Sequence, residues 1–260
     1  DAVRQDIDVS NLDISGLADR RKGVGFDQLL VVEKSSQKDV DFRYRIFNAN
    51  GSEVEQCGNG ARCLAPFVQE QNLSDKNPLV VETSSGVISL ELINSNQVKV
   101  NMGAPVFAAD KIPVSASVNE TQEIDFHVDG FDDVFKASVV SMGNPHGVIL
   151  VDSVEDAPVE LLGPLVECHS SFPQKVNVGF MEIVNRNHIK LRVFERGSGE
   201  TKACGTGACG AVVSGIVRGL LDSRVQVDLP GGSLTIEWDG QGDVIMTGPT
   251  SNVFEGRVNI

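Results

Sequence analysis

Two segments of this 260-residue chain are near-copies of each other, Cys-Gly-Asn-Gly-Ala-Arg-Cys at 57–63 and Cys-Gly-Thr-Gly-Ala-Cys-Gly at 204–210, set 147 positions apart. The same offset aligns Arg45 with Arg192, Phe47 with Phe194 and Glu53 with Glu200. Downstream the offset drifts by a residue or two, so that GVISLEL at 86–92 matches GSLTIEW at 232–238 and VNMGAPVF at 100–107 matches IMTGPTSNVF at 245–254. Upstream, Val-Gly-Phe occurs at 24–26 and again at 178–180. Solenoid repeats run to roughly 20–50 residues, so a period of this length describes one lobe built twice.

Local signals within each copy agree with that reading. FRYRIFN at 42–48 and IKLRVFE at 189–195 carry the β-branched and aromatic content of strands, as do 79–83, 87–92, 98–102, 139–143, 147–151, 225–229, 234–238 and 244–248. The stretch after Gly58 places Ala61, Leu64, Ala65 and Val68 at helical spacing, with Pro66 expected to kink the helix or delay its start. The stretch after Gly205 is apolar on most sides and is expected to run as a helix to about Leu221, enclosed by sheet. The fold class is therefore α+β: two pseudo-symmetric lobes, each a mostly antiparallel β-sheet or barrel wrapped around a central α-helix. The expected boundaries are 1–103 for an N-terminal lobe holding the first cysteine loop, rejoined by 249–260, and 104–248 for a C-terminal lobe holding the second. The polar segment 104–135, with Pro105 and Pro113, is expected to be the crossing between lobes.

Composition narrows the function classes. With 22 basic and 36 acidic residues the net charge is −14, and no basic patch is present to meet nucleic acid or an anionic membrane. No apolar run approaches the ~18 residues of a membrane span. Five cysteines, at 57, 63, 168, 204 and 209, are an odd number without a Cys-x-x-Cys pair. That pattern argues against a disulfide scaffold or a zinc site and for reduced thiols in a cytoplasmic enzyme without metal.

A cysteine directly before Gly-x-Gly at a helix start has a chemical rationale. The first backbone N–H groups of a helix lack internal partners and carry partial positive charge, so they can hold a carboxylate and are expected to lower the pKa of an adjacent thiol. One such loop supplies a base and part of an anion cradle; two loops supply two thiols to one substrate, as needed to take a proton from one face of a carbon and return it to the other. Cys63, Cys168 and Cys209 have no partner position in the repeat and are read as packing residues. The literal Gly-x-Gly-x-x-Gly at 205–210 raises a rival reading, dinucleotide binding, but the preceding strand is expected to end near Glu195, ten residues too early, and the sister loop breaks the pattern.

Taken with these loops, LADRRKGVGFDQ (17–28), RIFNANGSEVEQCGNGARC (45–63), SMGNPH (141–146), VNVGF (176–180) and ERGSGETKACGTGAC (195–209) make the chain resemble the diaminopimelate epimerases over nearly its whole length. Proline racemases share paired cysteines, but their second motif usually lacks the Glu-Arg found here as Glu195-Arg196. The resemblance implies an isomerase that interconverts LL- and meso-2,6-diaminopimelate in lysine and cell-wall precursor biosynthesis, without cofactor, as a cytoplasmic homodimer. It implies Cys57 and Cys204 as the catalytic pair, the first donor and the second acceptor, exchanging roles with direction. It assigns the backbone groups of Gly58, Asn59, Gly205 and Thr206 to the reacting end of the substrate. Gln28, Asn48, Asn144 and Asn177 fall to substrate contact, Arg196 to the distal carboxylate, and Glu195 to an ammonium or to thiol tuning. His146 is assigned to tuning the cysteine pKa values, with a hydrogen-bonded structural histidine as the other reading.

The chain starts just past the point where the family carries a Gly-x-Gly-Asn-Asp-Phe segment whose Asn binds substrate; without that segment little activity is expected. Phe254 stands where some relatives have a Tyr at the dimer contact. The alternatives are a racemase of another amino acid such as proline or hydroxyproline, and a catalytically silent amino-acid-binding protein.

Overall fold

The structure is a computed structural model that describes residues 1–54, 58–84 and 86–258. The chain divides into two compact units, residues 1–100 with 249–260, and residues 101–248.

The first unit contains α1 (Ile14–Ala18), β1 (Gln28–Lys34), β2 (Phe42–Asn48), β3 (Glu53–Val54), α2 (Gly58–Glu70), β4 (Leu79–Thr83), β5 (Gly86–Asn94) and β6 (Gln97–Asn101). The strands pair in the order β1-β2-β4-β5-β6, with β3 on β2. All these pairs are antiparallel except β2–β4. In β2 the side chains alternate: Phe42, Tyr44 and Ile46 are buried, while Arg43 is exposed. Helix α2 lies against β1 and β5 and buries Ala61, Leu64, Ala65 and Val68, one face of a 3.6-residue period. It starts at Gly58 and continues through Pro66 to Glu70, so the delayed start foreseen for Pro66 does not occur. The proline removes a single N–H from the ladder, a loss that burial of the helix face outweighs.

The second unit contains β7 (Glu123–His127), β8 (Val134–Ser141), β9 (Pro145–Leu150), α3 (Val159–Glu167), β10 (Asn177–Asn185), β11 (His188–Glu195), β12 (Gly199–Thr201), α4 (Gly205–Val217), β13 (Arg224–Leu229), β14 (Gly232–Glu237) and β15 (Ile245–Pro249). Its pairings repeat those of the first unit. β10–β11 is antiparallel, β11–β13 parallel, β13–β14 and β14–β15 antiparallel, and the short β12 adds to β11 as β3 adds to β2. β9, β8 and β7 then extend the sheet beyond β10.

Helix α4 is buried on every face from Gly205 to Gly215 and touches β8, β9, β10, β11 and β14. Its end corrects the expected run to Leu221. The helix stops at Val217, and Gly219, at φ +69, takes the left-handed position after the cap. The N–H of Gly219 donates to Ile216 O at 2.9 Å and that of Leu220 to Gly215 O at 2.9 Å, the bond pair of a Schellman ending. Helix α3 packs against β10, β11 and β12. The 104–135 segment, expected to be the crossing between lobes, lies wholly within the second unit: it supplies β7 and the buried Ile112, Ile124, Phe126 and Val128 to a core shared with Leu162, Val166, Phe172 and Phe180. Its alternation was masked by prolines and polar residues on the outward face.

Candidate active site

Cys204 is the N-cap of α4 and is 4% exposed. The first helical bond is Ala208 N–H to Cys204 O at 2.9 Å, so the N–H groups of Gly205, Thr206 and Gly207 have no carbonyl acceptor within the helix. The Gly207 N–H and the Thr206 hydroxyl, 3.6 Å from Sγ, address the sulfur and favour thiolate. They are outweighed. Burial pushes the Cys204 thiol well above its ordinary range, and the nearby Glu195 carboxylate pushes it further. The expectation that the helix end lowers this thiol pKa therefore fails in this state: field and hydrogen bonds at a helix end are worth about 0.3–2 kcal/mol, less than burying a charge. Cys204 is a protonated thiol.

Glu195 ends β11, and its carboxylate accepts from the Thr201 hydroxyl across the β11–β12 hairpin. The turn joining these strands is closed by Ser198 N–H to Glu195 O at 3.0 Å, with Arg196 at its second position and Gly197, at φ +75, at its third. That positive φ is what a type II turn demands there. The Arg196 N–H donates to Asn177 Oδ1 at 3.0 Å. The Arg196 guanidinium is exposed and donates to Gln174 O at 3.3 Å. Asn177 is buried, and its amide also donates to Pro145 O at 2.9 Å. His146, 1% exposed, shares a 2.9 Å hydrogen bond through Nε2 with Asn144 Oδ1. Burial, with the charge of Arg196 adding to it, pushes the His146 pKa down to about 3. The ring is neutral, donates to the Asn144 carbonyl, and fixes which way that amide points.

In the first unit, Gln28 and Asn48 are register partners on β1 and β2 and are joined side chain to side chain, Nε2 to Oδ1, at 3.1 Å. Gly58 and Asn59 occupy the first turn of α2. Cys57 lies outside the described residues. Arg62, which sequence reasoning passed over, is 8% exposed and donates to Asn59 Oδ1 at 3.0 Å and to Pro249 O at 3.1 Å. It ties the opening of α2 to the returning C-terminal segment. Its presence in CGNGAR was visible, but its acceptor 187 residues away was not. Gly60 lets Tyr44 come close: a Cβ there would stand 2.3 Å from the Tyr44 hydroxyl.

Among the described residues no group of three or more His, Cys, Asp or Glu side chains is gathered to hold a metal ion. No described helix is long and apolar enough to cross a membrane.

A profile described as diaminopimelate epimerase matches residues 4–108 and 138–253. The chain belongs to the diaminopimelate epimerase family. It is 54% identical over 261 aligned positions to the diaminopimelate epimerase of Teredinibacter turnerae, covering 100% of this chain and 94% of that one. It is 55% identical over 243 positions to that of Ectopseudomonas mendocina, covering 93% and 87% respectively. Among solved structures, a hydroxyproline epimerase from Agrobacterium vitis with bound trans-4-OH-L-proline shares the fold at a TM-score of 0.63 and 14% identity, over 90% of this chain and 75% of that one. The two-lobe α+β architecture is thus that of the epimerase and racemase folds.

Within this family assignment, the second unit gathers Cys204, Gly205, Thr206, Glu195, Arg196, Asn177, Asn144 and His146 around the β11–β12 turn and the head of α4. The first unit brings Gln28 to Asn48 and places Gly58 and Asn59 together.

Proposed function

We propose that the chain interconverts LL- and meso-2,6-diaminopimelate by moving the hydrogen of one α-carbon between two cysteines. The observation that carries this reading is the placement of Cys204, buried at the head of α4 and beside Glu195, in a chain that belongs to the diaminopimelate epimerase family. In one direction the Cys57 thiolate takes the α-proton. The electron pair of the broken C–H bond passes into the adjoining carboxylate, and the Cys204 thiol gives its proton to the opposite face of the carbon. The carbon ends inverted, Cys57 as thiol and Cys204 as thiolate, and proton exchange with solvent restores the pair. The reverse reaction exchanges the roles.

An α-proton is far too weak an acid for thiolate basicity alone. The first-turn N–H groups of Gly205 and Thr206, with the backbone groups of Gly58 and Asn59, hold the carboxylate on which the charge develops, and one preorganised donor of this kind is worth roughly 2.7–4 kcal/mol of barrier. Arg196 offers a two-pronged donor to the distal carboxylate. Asn48, Asn144, Asn177 and Gln28 supply the remaining polar contacts. The reading requires neither pyridoxal phosphate nor a metal. It places the enzyme in the cytoplasm, in lysine and cell-wall precursor synthesis, working as a homodimer. Val253 at 86% and Phe254 at 69% exposure give the C-terminal segment an apolar surface suited to a second copy.

Incubation with LL-diaminopimelate in deuterated water tests the reading: deuterium enters the α-position and meso product accumulates, while proline stays unlabelled. Cys57→Ala and Cys204→Ala each abolish inversion. Full turnover by either variant would sink the two-base mechanism.

A further inference from the structure

Glu167 is an unfavourable residue where it stands. It is the last residue of α3, where unpaired carbonyls carry partial negative charge, and it is 7% exposed. Its Oε1 accepts from the Gly197 N–H at 2.9 Å and from Lys175 Nζ at 3.2 Å. Lys175 itself sits at φ +62, a conformation non-glycine residues seldom adopt. A buried carboxylate at the negative end of a helix, met by a lysine in a seldom-adopted backbone conformation, does not stabilise the helix that carries it.

What it holds is the Glu195–Ser198 turn. In a type II turn the N–H of the third residue has no partner within the turn, and here that residue is Gly197. The neighbouring Arg196 N–H is held by Asn177 Oδ1 at 3.0 Å. The two peptide units flanking the Arg196 Cα are therefore pinned by side chains from two other elements, Asn177 on β10 and Glu167 on α3. Helix α3 is in turn fixed to this hairpin along its length. Arg192 Nη1 donates to Val154 O at 2.8 Å and Ala157 O at 3.3 Å just before the helix. At mid-helix Gly163 lies so close to Phe194 that a Cβ would come within 2.6 Å of the ring. Glu167 completes the attachment at the far end.

We infer that Glu167 is a positioning residue, setting the Glu195–Arg196 turn so that Arg196 meets the distal carboxylate of the substrate. This rests on the assignment of Arg196 proposed above. The test is steady-state kinetics with diaminopimelate, with hydrogen exchange of the 195–199 backbone followed in parallel. Glu167→Ala is expected to raise KM about tenfold with a much smaller change in kcat, the signature of lost ground-state binding, and to speed exchange across 195–199. Glu167→Gln, whose amide oxygen can still accept from Gly197, restores both. A merely structural glutamate would instead lower thermal stability while leaving KM in place. If Glu167→Ala does not fold, Glu167→Asp decides: it keeps the charge but withdraws the oxygen by one methylene, and a raised KM supports the inference. Wild-type KM and wild-type exchange in either variant that folds would overturn it. Arg196→Ala separates the two levels. An unchanged KM there removes the assignment of Arg196 to substrate, and exchange at 195–199 then decides alone whether Glu167 sets the turn.

Discussion

Arg192 closes on Glu200 through two parallel hydrogen bonds, Nε to Oε1 at 2.7 Å and Nη2 to Oε2 at 2.8 Å. The first unit contains the same clamp at the matching positions of the repeat, Arg45 on Glu53, with both bonds at 2.8 Å. In each unit the pair ties a long strand to the short strand that leads into a cysteine loop, β11 to β12 and β2 to β3. The aligned identities at 45, 53, 192 and 200 were therefore a structural signal: the duplicated hairpin is locked the same way twice.

This clamp yields the first prediction. Arg192 also serves two carbonyls ahead of α3, and its side chain is 24% exposed, so Arg192→Met leaves several half-buried acceptors unpaired. The expected loss is about 2 kcal/mol in urea unfolding. In a double-mutant cycle with Glu200→Gln the coupling is about 1 kcal/mol. A coupling of zero would mean that the two parallel bonds contribute nothing beyond solvation.

The state of Cys204 gives the second. A thiol that is 4% exposed and protonated reacts slowly with iodoacetamide near neutral pH, whereas Cys63 and Cys168 are exposed. Peptide mapping after timed labelling is expected to find Cys204 modified well after those two. Glu195→Gln removes a negative charge that raises the Cys204 pKa, so the reaction of Cys204 accelerates and its pH midpoint moves down. Slower labelling in that variant would contradict the assigned direction.

The third concerns the opening of α2. Gly60→Ala drives a methyl group to within 2.3 Å of the Tyr44 hydroxyl and 3.0 Å of Leu30. Tyr44 is 2% exposed and has no room to swing away. Overpacking of this kind costs about 1–3 kcal/mol, and a calorimetric melt registers it as a Tm several degrees lower. An unchanged Tm would show that the β1–β2 strands yield at this point.

The contrast between these residues explains what could be read in advance. Strands such as β2 and β11 announce themselves because the alternation of Tyr44, Ile46, Leu191 and Val193 with charged residues is a local property. The helix heads at Gly58 and Gly205 were likewise local. The positions of Glu167 and Arg62 were not, since their partners Gly197 and Pro249 lie 30 and 187 residues away. The direction of the Cys204 pKa is hidden from the sequence for the same reason: its helix-end hydrogen bonds are legible in Cys-Gly-Thr-Gly, while the burial that outweighs them depends on five strands closing over α4. Segment 104–135 read as a connector because only the inward residues of β7 are apolar.

The last prediction follows from His146. Its unfolded pKa is about 6.5, and burial holds the folded value at about 3. The folded state therefore excludes a proton that the unfolded chain accepts. The stabilisation is complete above about pH 6.5 and is lost progressively as pH falls toward 3. Between pH 7.5 and 5.5 this single group is expected to remove about 1 kcal/mol of stability, one pKa unit being worth 1.36 kcal/mol. His146→Gln, which keeps a donor for Asn144 but does not titrate, flattens that part of the curve. Urea midpoints at pH 7.5, 6.5 and 5.5 for the two proteins make the comparison before most carboxylates begin to protonate. Curves that fall in parallel would mean that His146 takes up its proton without unfolding, and that the β9 region opens to water more readily than its burial implies.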